Sequence, residues 1–329
     1  MDKSKAIERN VAIELMRVTE AAAMAAAPWM GRNQKNLSDQ ASVDAMRETL
    51  NSVDMDGVVV IGEGEKDEAP MLYIGEAIGN GNPPLVDIAV DPIDGTRLLA
   101  RGLPGAISVV ALSERGTMLQ VPHEMVYMNK IAVGPAGKGV IDISSSPAEN
   151  LKALSRRMAV PVSELTVAAL DRPRNEDLME SVRSVGARLK LLSDGDVAGA
   201  IASALRGESG VDMYVGIGGS PEAIIAACAI KSLGGDMQCT FWPREEAEAV
   251  AAREAGFEDG RVFTIDELVS GDDILFAATG ITGGELLQGV RYFPDGVRTH
   301  SLVIRSRSGT VRWVEAHHDA GKQRQYAIE

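Results

Sequence analysis

A chain of 329 residues with 45% hydrophobic and 24% charged side chains is long enough for two packed lobes or one large multilayer unit, and is neither disordered nor fibrous in composition. Its net charge of −14, from 47 acidic against 33 basic residues, repels nucleic acid and anionic lipid alike, and an aromatic share of 4% leaves little for base-stacking platforms. The two cysteines, Cys228 and Cys239, form neither a disulfide scaffold nor a zinc spacing, so a reducing compartment is expected.

The chain opens Met1-Asp2-Lys3-Ser4-Lys5 without an apolar signal core, and no apolar run approaches the roughly 20 residues that span a bilayer, so a cytoplasmic protein is expected. Ile7, Val11, Leu15, Val18 and Ala22 recur at steps of three and four, predicting one buried face of a long helix that ends before Gly31. A second helix carries Val43, Met46, Leu50 and Val53 on one face, with Ser38 or Asp39 where an N-cap is expected. Met55-Asp56-Gly57 reads as a turn, and residues 58–61 as a strand buried on both faces.

The next strand, 85–90, is expected to stop at Asp91; 106–112 continues the sheet and 129–133 is expected to pair with them. From Ser146-Pro147 onward helix and strand alternate, with Ser146 as an N-cap and Pro147 at the first helical position. Strands at 165–170, 189–192, 211–215, 237–242 and 274–278, mostly separated by helices, imply an α/β layer. Residues 290–316 return to strands, with Asp295-Gly296 and Ser308-Gly309 as hairpin turns. No repeat or proline-rich linker divides the chain; the change of pattern separates an N-terminal α+β lobe, 1–140, from an α/β lobe, 141–329.

The chemistry concentrates in acids at strand ends. Asp91-Pro92-Ile93-Asp94-Gly95-Thr96 follows a hydrophobic strand; proline cannot donate to a ladder, so the chain is expected to turn there and carry both acids off the sheet edge. Gly95 and Thr96 would open the next helix, whose free amides suit a phosphate oxygen, and the Thr96 hydroxyl would orient a water. Gly62-Glu63-Gly64-Glu65-Lys66-Asp67-Glu68 lies at the end of another buried strand, where open α/β sheets place ligands. Asp39 and Glu222 are further candidates; in Gly218-Gly219-Ser220-Pro221-Glu222, Ser220 would cap and Pro221 start a helix.

Like charges about 4 Å apart repel by roughly 4 kcal/mol at an effective dielectric near 20, so several ionised acids share a pocket only with cations. Oxygen ligands without His or Cys favour Mg²⁺ or Mn²⁺, and a pair of such ions suits in-line displacement at phosphorus.

Blander readings stand beside these. Asp39 could be a helix cap, Glu222 an acid favoured by a helix dipole, and Glu65, Asp67 and Glu68 an exposed turn before a helix at Pro70, a reading preferred for the last two. The arginines of Asp171-Arg172-Pro173-Arg174 could be surface charges on an extended backbone, Tyr127 a core tyrosine, and Asp194 and Asp196 solvated beside Gly195. Gly216-Ile217-Gly218-Gly219 fails as a dinucleotide loop at Pro221, and an aspartyl nucleophile in Asp-x-Asp-Gly-Thr fails at Pro92.

Asp91-Pro92-Ile93-Asp94-Gly95-Thr96 resembles the signature of the lithium-sensitive, metal-dependent sugar and inositol phosphatases. With Ile61-Gly62-Glu63-Gly64-Glu65, Ala69-Pro70-Met71-Leu72-Tyr73, Asp171-Arg172-Pro173-Arg174, Asp194-Gly195-Asp196-Val197 and Gly216-Ile217-Gly218-Gly219-Ser220-Pro221-Glu222, the chain is similar to the class II fructose-1,6-bisphosphatases of bacteria from about residue 7 to 316. It departs at Leu37-Ser38, where the family usually has Thr-Ala or Gly-Gly, and in a short segment at 241–257 where some relatives carry an insertion.

The resemblance implies a layered αβαβα fold, two or more Mg²⁺ or Mn²⁺ ions per site, and a homodimer or homotetramer. It makes Asp39, Glu63, Asp91, Asp94 and Glu222 metal ligands, most of them in the N-terminal lobe, and gives Thr96 the nucleophilic water. Asp94, Gly95 and Thr96 would meet the reacting 1-phosphate, Tyr127, Arg172, Pro173 and Arg174 the distal 6-phosphate, and Asp194, Gly195, Asp196 and Gly219 the sugar. Sedoheptulose 1,7-bisphosphate is an alternative or additional substrate. An inositol monophosphatase would not need the second arginine anchor, and a non-reacting sugar-phosphate sensor would not need Thr96.

Overall fold

The computed structural model describes residues 7–64, 71–205, 207 and 209–319. The elements are, in order, α1 (Val11–Ala26), α2 (Lys35–Asn51), β1 (Asp56–Ile61), β2 (Ala77–Ile78), β3 (Leu85–Asp94), α3 (Thr96–Arg101), β4 (Ile107–Glu114), β5 (Tyr127–Val133), α4 (Pro147–Met158), β6 (Thr166–Leu170) and α5 (Glu176–Ser184). They continue with β7 (Arg188–Leu192), α6 (Asp196–Ala202), β8 (Met213–Gly219), α7 (Ser220–Ser232), β9 (Asp236–Phe241), α8 (Glu246–Glu254), β10 (Val262–Thr264), α9 (Ile265–Leu268), β11 (Leu275–Gly280), β12 (Arg291–Phe293), β13 (Gly296–Arg305) and β14 (Thr310–Asp319).

Two mixed sheets divide these strands. The first runs β12-β13-β11-β4-β3-β1-β2 with β14 on β13; the second runs β10-β9-β5-β8-β6-β7. The central strands β3, β4, β8 and β11 bury both faces, and the period of two sorts the side chains into layers. In the first sheet Ile88, Val90, Val110, Leu112 and Ala277 meet Leu15, Val18, Met46 and Leu50 of α1 and α2. The opposite face, with Ala89, Val109 and Ala111, meets α6 and α7, which also receive Met128, Ala132 and Tyr214 of the second sheet. The far face of that sheet, Ile131, Val133, Val167 and Met213, is closed by Leu151 and Leu154 of α4 and Met179 and Val182 of α5. The result is five layers, αβαβα. Helix α7 lies in the middle and is buried almost all round, from Ala223 to Ile230, as a helix flanked by two sheets must be.

Several local expectations hold. Ser146 caps α4 in a full capping box with Glu149, and Pro147 opens it. The turn at Ser308-Gly309 joins β13 to β14, which pair over ten residues.

Others are corrected. Asp56 and Gly57 belong to β1 rather than a turn; a Cβ on Gly57 would collide with Ile88 and Ile78, so glycine is there to admit neighbouring strands. Helix α2 starts at Lys35, so Ser38 and Asp39 lie inside it and neither is the N-cap; Ser38 Oγ donates instead to the Lys35 carbonyl at 2.7 Å. Strand β3 does not stop at Asp91 but runs to Asp94, because its pairing with β4 skips between those residues and leaves Pro92 in a bulge where no amide is needed. Residues 129–133 do not join the first sheet: β5 is central in the second, between β8 and β9. Strand β11, expected within the α/β layer, pairs with β4 and β13 in the first sheet. Around Pro173 the chain is a 3₁₀ turn rather than extended. Gly219 takes the cap position of α7, with Ser220 and Pro221 already in the helix.

Candidate active site

Topology brings the strand ends together. Strands β1 and β3 are parallel, so Glu63 and the segment from Asp91 to Asp94 leave the first sheet at one edge. In the second sheet β6, β7 and β8 are parallel, which gathers Arg172, Asp194 and Gly219 at one edge in the same way. Helix α7 starts there, packs against strands of both sheets, and carries Glu222 into the gap. The crevice at carboxyl-terminal strand ends is where such sheets place ligands. Here it is a cavity of about 730 Å³ lined by Glu63, Asp91, Asp94, Gly95, Thr96, Tyr127, Arg172, Arg174, Asp194, Gly195, Asp196, Gly219 and Glu222.

Two of the expected residues are not in its wall. Pro173 is exposed and shapes the turn between the arginines. Asp39 reaches the site through Thr96, whose hydroxyl lies in hydrogen-bonding reach of its carboxylate. One helical turn on, Ser42 Oγ donates to the Pro92 carbonyl at 3.0 Å and ties α2 to the bulge. Glu65, Asp67, Glu68 and Pro70 lie outside the described residues.

The bulge itself is held by its first acid: the Ile93 amide donates to Asp91 Oδ1 at 2.9 Å. Gly95 then turns with φ 92°, a left-handed conformation that suits glycine, and α3 begins at Thr96. Thr96 Oγ1 donates to the Ile93 carbonyl at 3.2 Å. A single hydroxyl proton serves either Ile93 or Asp39, and the lone pairs stay open.

The acids feel one another. Burial raises the pKa of Asp91 well above the ordinary carboxylate range, followed by the charges of Asp94, Glu63 and Glu222. Asp94 is raised by burial and then by Asp196 and Glu222. Glu222 is raised by burial and Asp196, with Lys130 acting against them. Glu63 is exposed as a residue, but the protein atoms crowding its carboxylate, then Asp39 and Glu222, push its pKa up to about 7.

The other half of the cavity is cationic and tightly braced. Arg172 Nη2 donates to Asp194 Oδ1 at 2.6 Å, and Arg174 Nε donates to the Ile217 carbonyl at 2.9 Å. The Arg174 guanidinium sits 4.6 Å from the centre of the Tyr127 ring, and Trp242 meets that ring edge-on at 6.3 Å. These are not loose surface charges. Asp196 is not solvated either: it is buried and paired with the buried Lys130 at 2.6 Å. Lys130 and Tyr214, whose hydroxyl is buried near Gly216, are site neighbours without a motif. The available signal for Lys130 was a lysine at the same strand parity as the apolar Met128 and Ala132.

Divalent cations suit this donor set. Among the described residues no three Asp, Glu, His or Cys side chains form a ready-made metal group. Yet Glu222 Oε2 is buried without a hydrogen-bond partner among those residues, and burial and Asp196 raise the pKa of Glu222 in spite of Lys130. A hard cation is the natural partner for such an oxygen.

The model of the family described as bacterial fructose-1,6-bisphosphatase, glpX-encoded, matches residues 9–318. The chain belongs to that family. It is 43% identical to a protein of Trichodesmium erythraeum (strain IMS101) over 96% of this chain and 98% of the relative, and 44% identical to one of Crocosphaera subtropica (strain ATCC 51142 / BH68) over 95% and 97%. Both relatives bear the name D-fructose 1,6-bisphosphatase class 2/sedoheptulose 1,7-bisphosphatase. A solved inositol monophosphatase from Anabaena (Nostoc) sp. PCC 7120 is similar at 18% identity over 79% of this chain and 92% of that one, with a TM-score of 0.38.

The raised acids predict a pH dependence. A carboxyl whose folded pKa lies above its ordinary value lends stability that is complete below that ordinary value and lost as pH rises through the folded one. For Glu63 the span is from 4.5 to about 7. His300 and His318 are lowered, mainly by burial, and act in the opposite sense below 6.5. With a chelator present, the melting midpoint therefore falls between pH 6.5 and about 8, and the fall is smaller in Glu63→Gln. Thermal melts across that window check this; a flat profile in the unaltered protein contradicts it.

Proposed function

We propose that this chain is a metal-dependent fructose-1,6-bisphosphatase, which hydrolyses the 1-phosphate of fructose 1,6-bisphosphate to give fructose 6-phosphate and phosphate. The observation that carries this is a single cavity bounded by the carboxylates of Glu63, Asp91, Asp94 and Glu222 and also by the guanidiniums of Arg172 and Arg174. A substrate with one phosphate would use only half of it.

Asp39, Glu63, Asp91, Asp94 and Glu222 would hold two or more divalent cations, Mg²⁺ or Mn²⁺ by the hardness of the ligands. Such ions supply charge neutralisation at the phosphoryl oxygens. Gly95 and Thr96 present the start of α3 to the reacting phosphate, and the Thr96 hydroxyl orients the attacking water and relays its proton toward Asp39. Arg172 and Arg174, stiffened by Asp194 and Tyr127, grip the distal phosphate. Asp194, Gly195, Asp196 and Gly219 line the cavity between these ends and face the sugar.

The residues before about 140 supply most of the metal end; those after it, joined by Tyr127 and Lys130, supply the sugar and distal-phosphate end. We place the reaction in gluconeogenesis and in the cytoplasm, where the buried free thiols Cys228 and Cys239 would stay reduced, and expect a homodimer or homotetramer.

Phosphate release from fructose 1,6-bisphosphate with Mg²⁺ or Mn²⁺ tests the reading, and tight binding without release would identify a sensor instead. Because both relatives' names also include sedoheptulose 1,7-bisphosphatase, that sugar belongs in the same panel. Arg174→Ala is expected to raise KM for the bisphosphate about tenfold or more and to change kcat far less, since the distal phosphate is held alike in ground and transition states. Steady-state kinetics check the split; a fall confined to kcat would move Arg174 out of the binding role.

A further inference from the structure

The glycines of Gly216-Ile217-Gly218-Gly219 have no dinucleotide to cradle. They make room for polar side chains. A Cβ on Gly218 would collide with Asp196 Oδ2 and approach Lys130 Nζ to 3.2 Å, while one on Gly219 would collide with the Glu222 carboxylate.

Lys130 is 2% exposed and Asp196 5%. The lysine stands in the central strand β5 with the parity of Met128 and Ala132, so it points into the middle layer. Its ammonium donates to Asp196 Oδ2 at 2.6 Å, the one hydrogen bond to that carboxylate among the described residues. Desolvating two such ions costs several kcal/mol each, and an apolar pair of similar volume would often serve stability as well or better. The expense is more readily explained by the site than by the core.

We infer that Lys130 is a positioning residue for the sugar, an inference that rests on the function proposed above. It occupies one oxygen of Asp196 and fixes the carboxylate in the cavity wall, leaving Oδ1 to accept a hydroxyl of the polyol chain. An ionised carboxylate accepts only and a lysine ammonium donates only, so the pair cannot invert its polarity. The arrangement selects a hydroxylated carbon chain between the phosphates, independently of how either phosphate is held.

The test compares the unaltered enzyme, Lys130→Met, Asp196→Asn and the double variant, each with saturating Mg²⁺. The substrate is fructose 1,6-bisphosphate, and the competitive inhibitor is hexane-1,6-diol bisphosphate, which has both phosphates and no hydroxyl. Each single change is expected to raise KM for the sugar about tenfold or more while the inhibition constant stays within about threefold. The double variant is expected to be no worse than the singles by more than about threefold, because the two residues act as one unit. Equal weakening of sugar and diol, or losses that multiply in the double variant, would overturn the assignment. Should Lys130→Met fail to fold, Asp196→Asn decides: an unchanged KM for the sugar overturns it. An unaltered enzyme that leaves fructose 1,6-bisphosphate intact refutes the function itself, a result separate from any of these ratios.

Discussion

Thr96→Ala is expected to lower kcat by about 10²- to 10³-fold, with KM for fructose 1,6-bisphosphate changed by less than about threefold. Thr96 is the first residue of α3, immediately after the left-handed Gly95. Its hydroxyl stands between the Ile93 carbonyl and Asp39, so alanine removes the one group there able both to accept a proton from water and to pass one on. In the proposed reading the phosphate at the helix start would meet backbone amides, which alanine keeps, so binding should be spared. Thr96→Ser, which retains the hydroxyl, should recover most of the rate. Phosphate-release kinetics with saturating Mg²⁺ or Mn²⁺ make the comparison, and a loss below about tenfold for alanine would assign proton handling to another group.

Asp91→Asn is expected to have opposite effects on rate and stability. The charge of Asp91 is opposed by burial and then by Asp94, Glu63 and Glu222, so the unliganded protein spends folding energy on keeping these acids together. An amide of the same shape relieves that repulsion and can still accept from the Ile93 amide. In chelator at about pH 8 the melting midpoint should rise by a few degrees, on the scale of about 1 kcal/mol. Activity with Mg²⁺ should fall by about 10³-fold or more, because a neutral amide neither holds nor balances a divalent cation as a carboxylate does. Adding Mg²⁺ should raise the midpoint of the unaltered protein far more than that of the variant. A variant that melts lower in chelator would mean that Asp91 serves the fold through its bulge rather than the site through its charge.

Sequence periodicity made much of the framework legible. The three- and four-residue spacing of Leu15, Val18 and Ala22 marks α1, the Ser146-Pro147 pair marks the start of α4, and the apolar runs mark β1, β3 and β4. These signals are local: they depend on which side of one element is apolar and on caps that reach three residues. The motif at residues 91–96 was equally legible as chemistry, although its first acid also has a structural use that the sequence did not show, accepting from the Ile93 amide in the bulge. What was misread is also instructive. Proline was expected to end β3, but a bulge absorbs its missing amide because β4 resumes pairing at Asp94. Asp39 was weighed as a helix cap, yet α2 begins four residues earlier at Lys35.

The residue types and their spacing along the chain are properties of the sequence by itself; they pointed to acids that need cations, and the resemblance of the motifs at 61–65, 91–96, 171–174, 194–197 and 216–222 implied the family. Only the tertiary structure decided that β5 crosses into the second sheet, that β11 returns to the first, and that Lys130 is buried against Asp196. The reason is that strand partners are chosen by faces and edges distant in sequence. A lysine in a strand takes its meaning from the carboxylate that α6 brings to it, and that carboxylate lies 66 residues away along the chain.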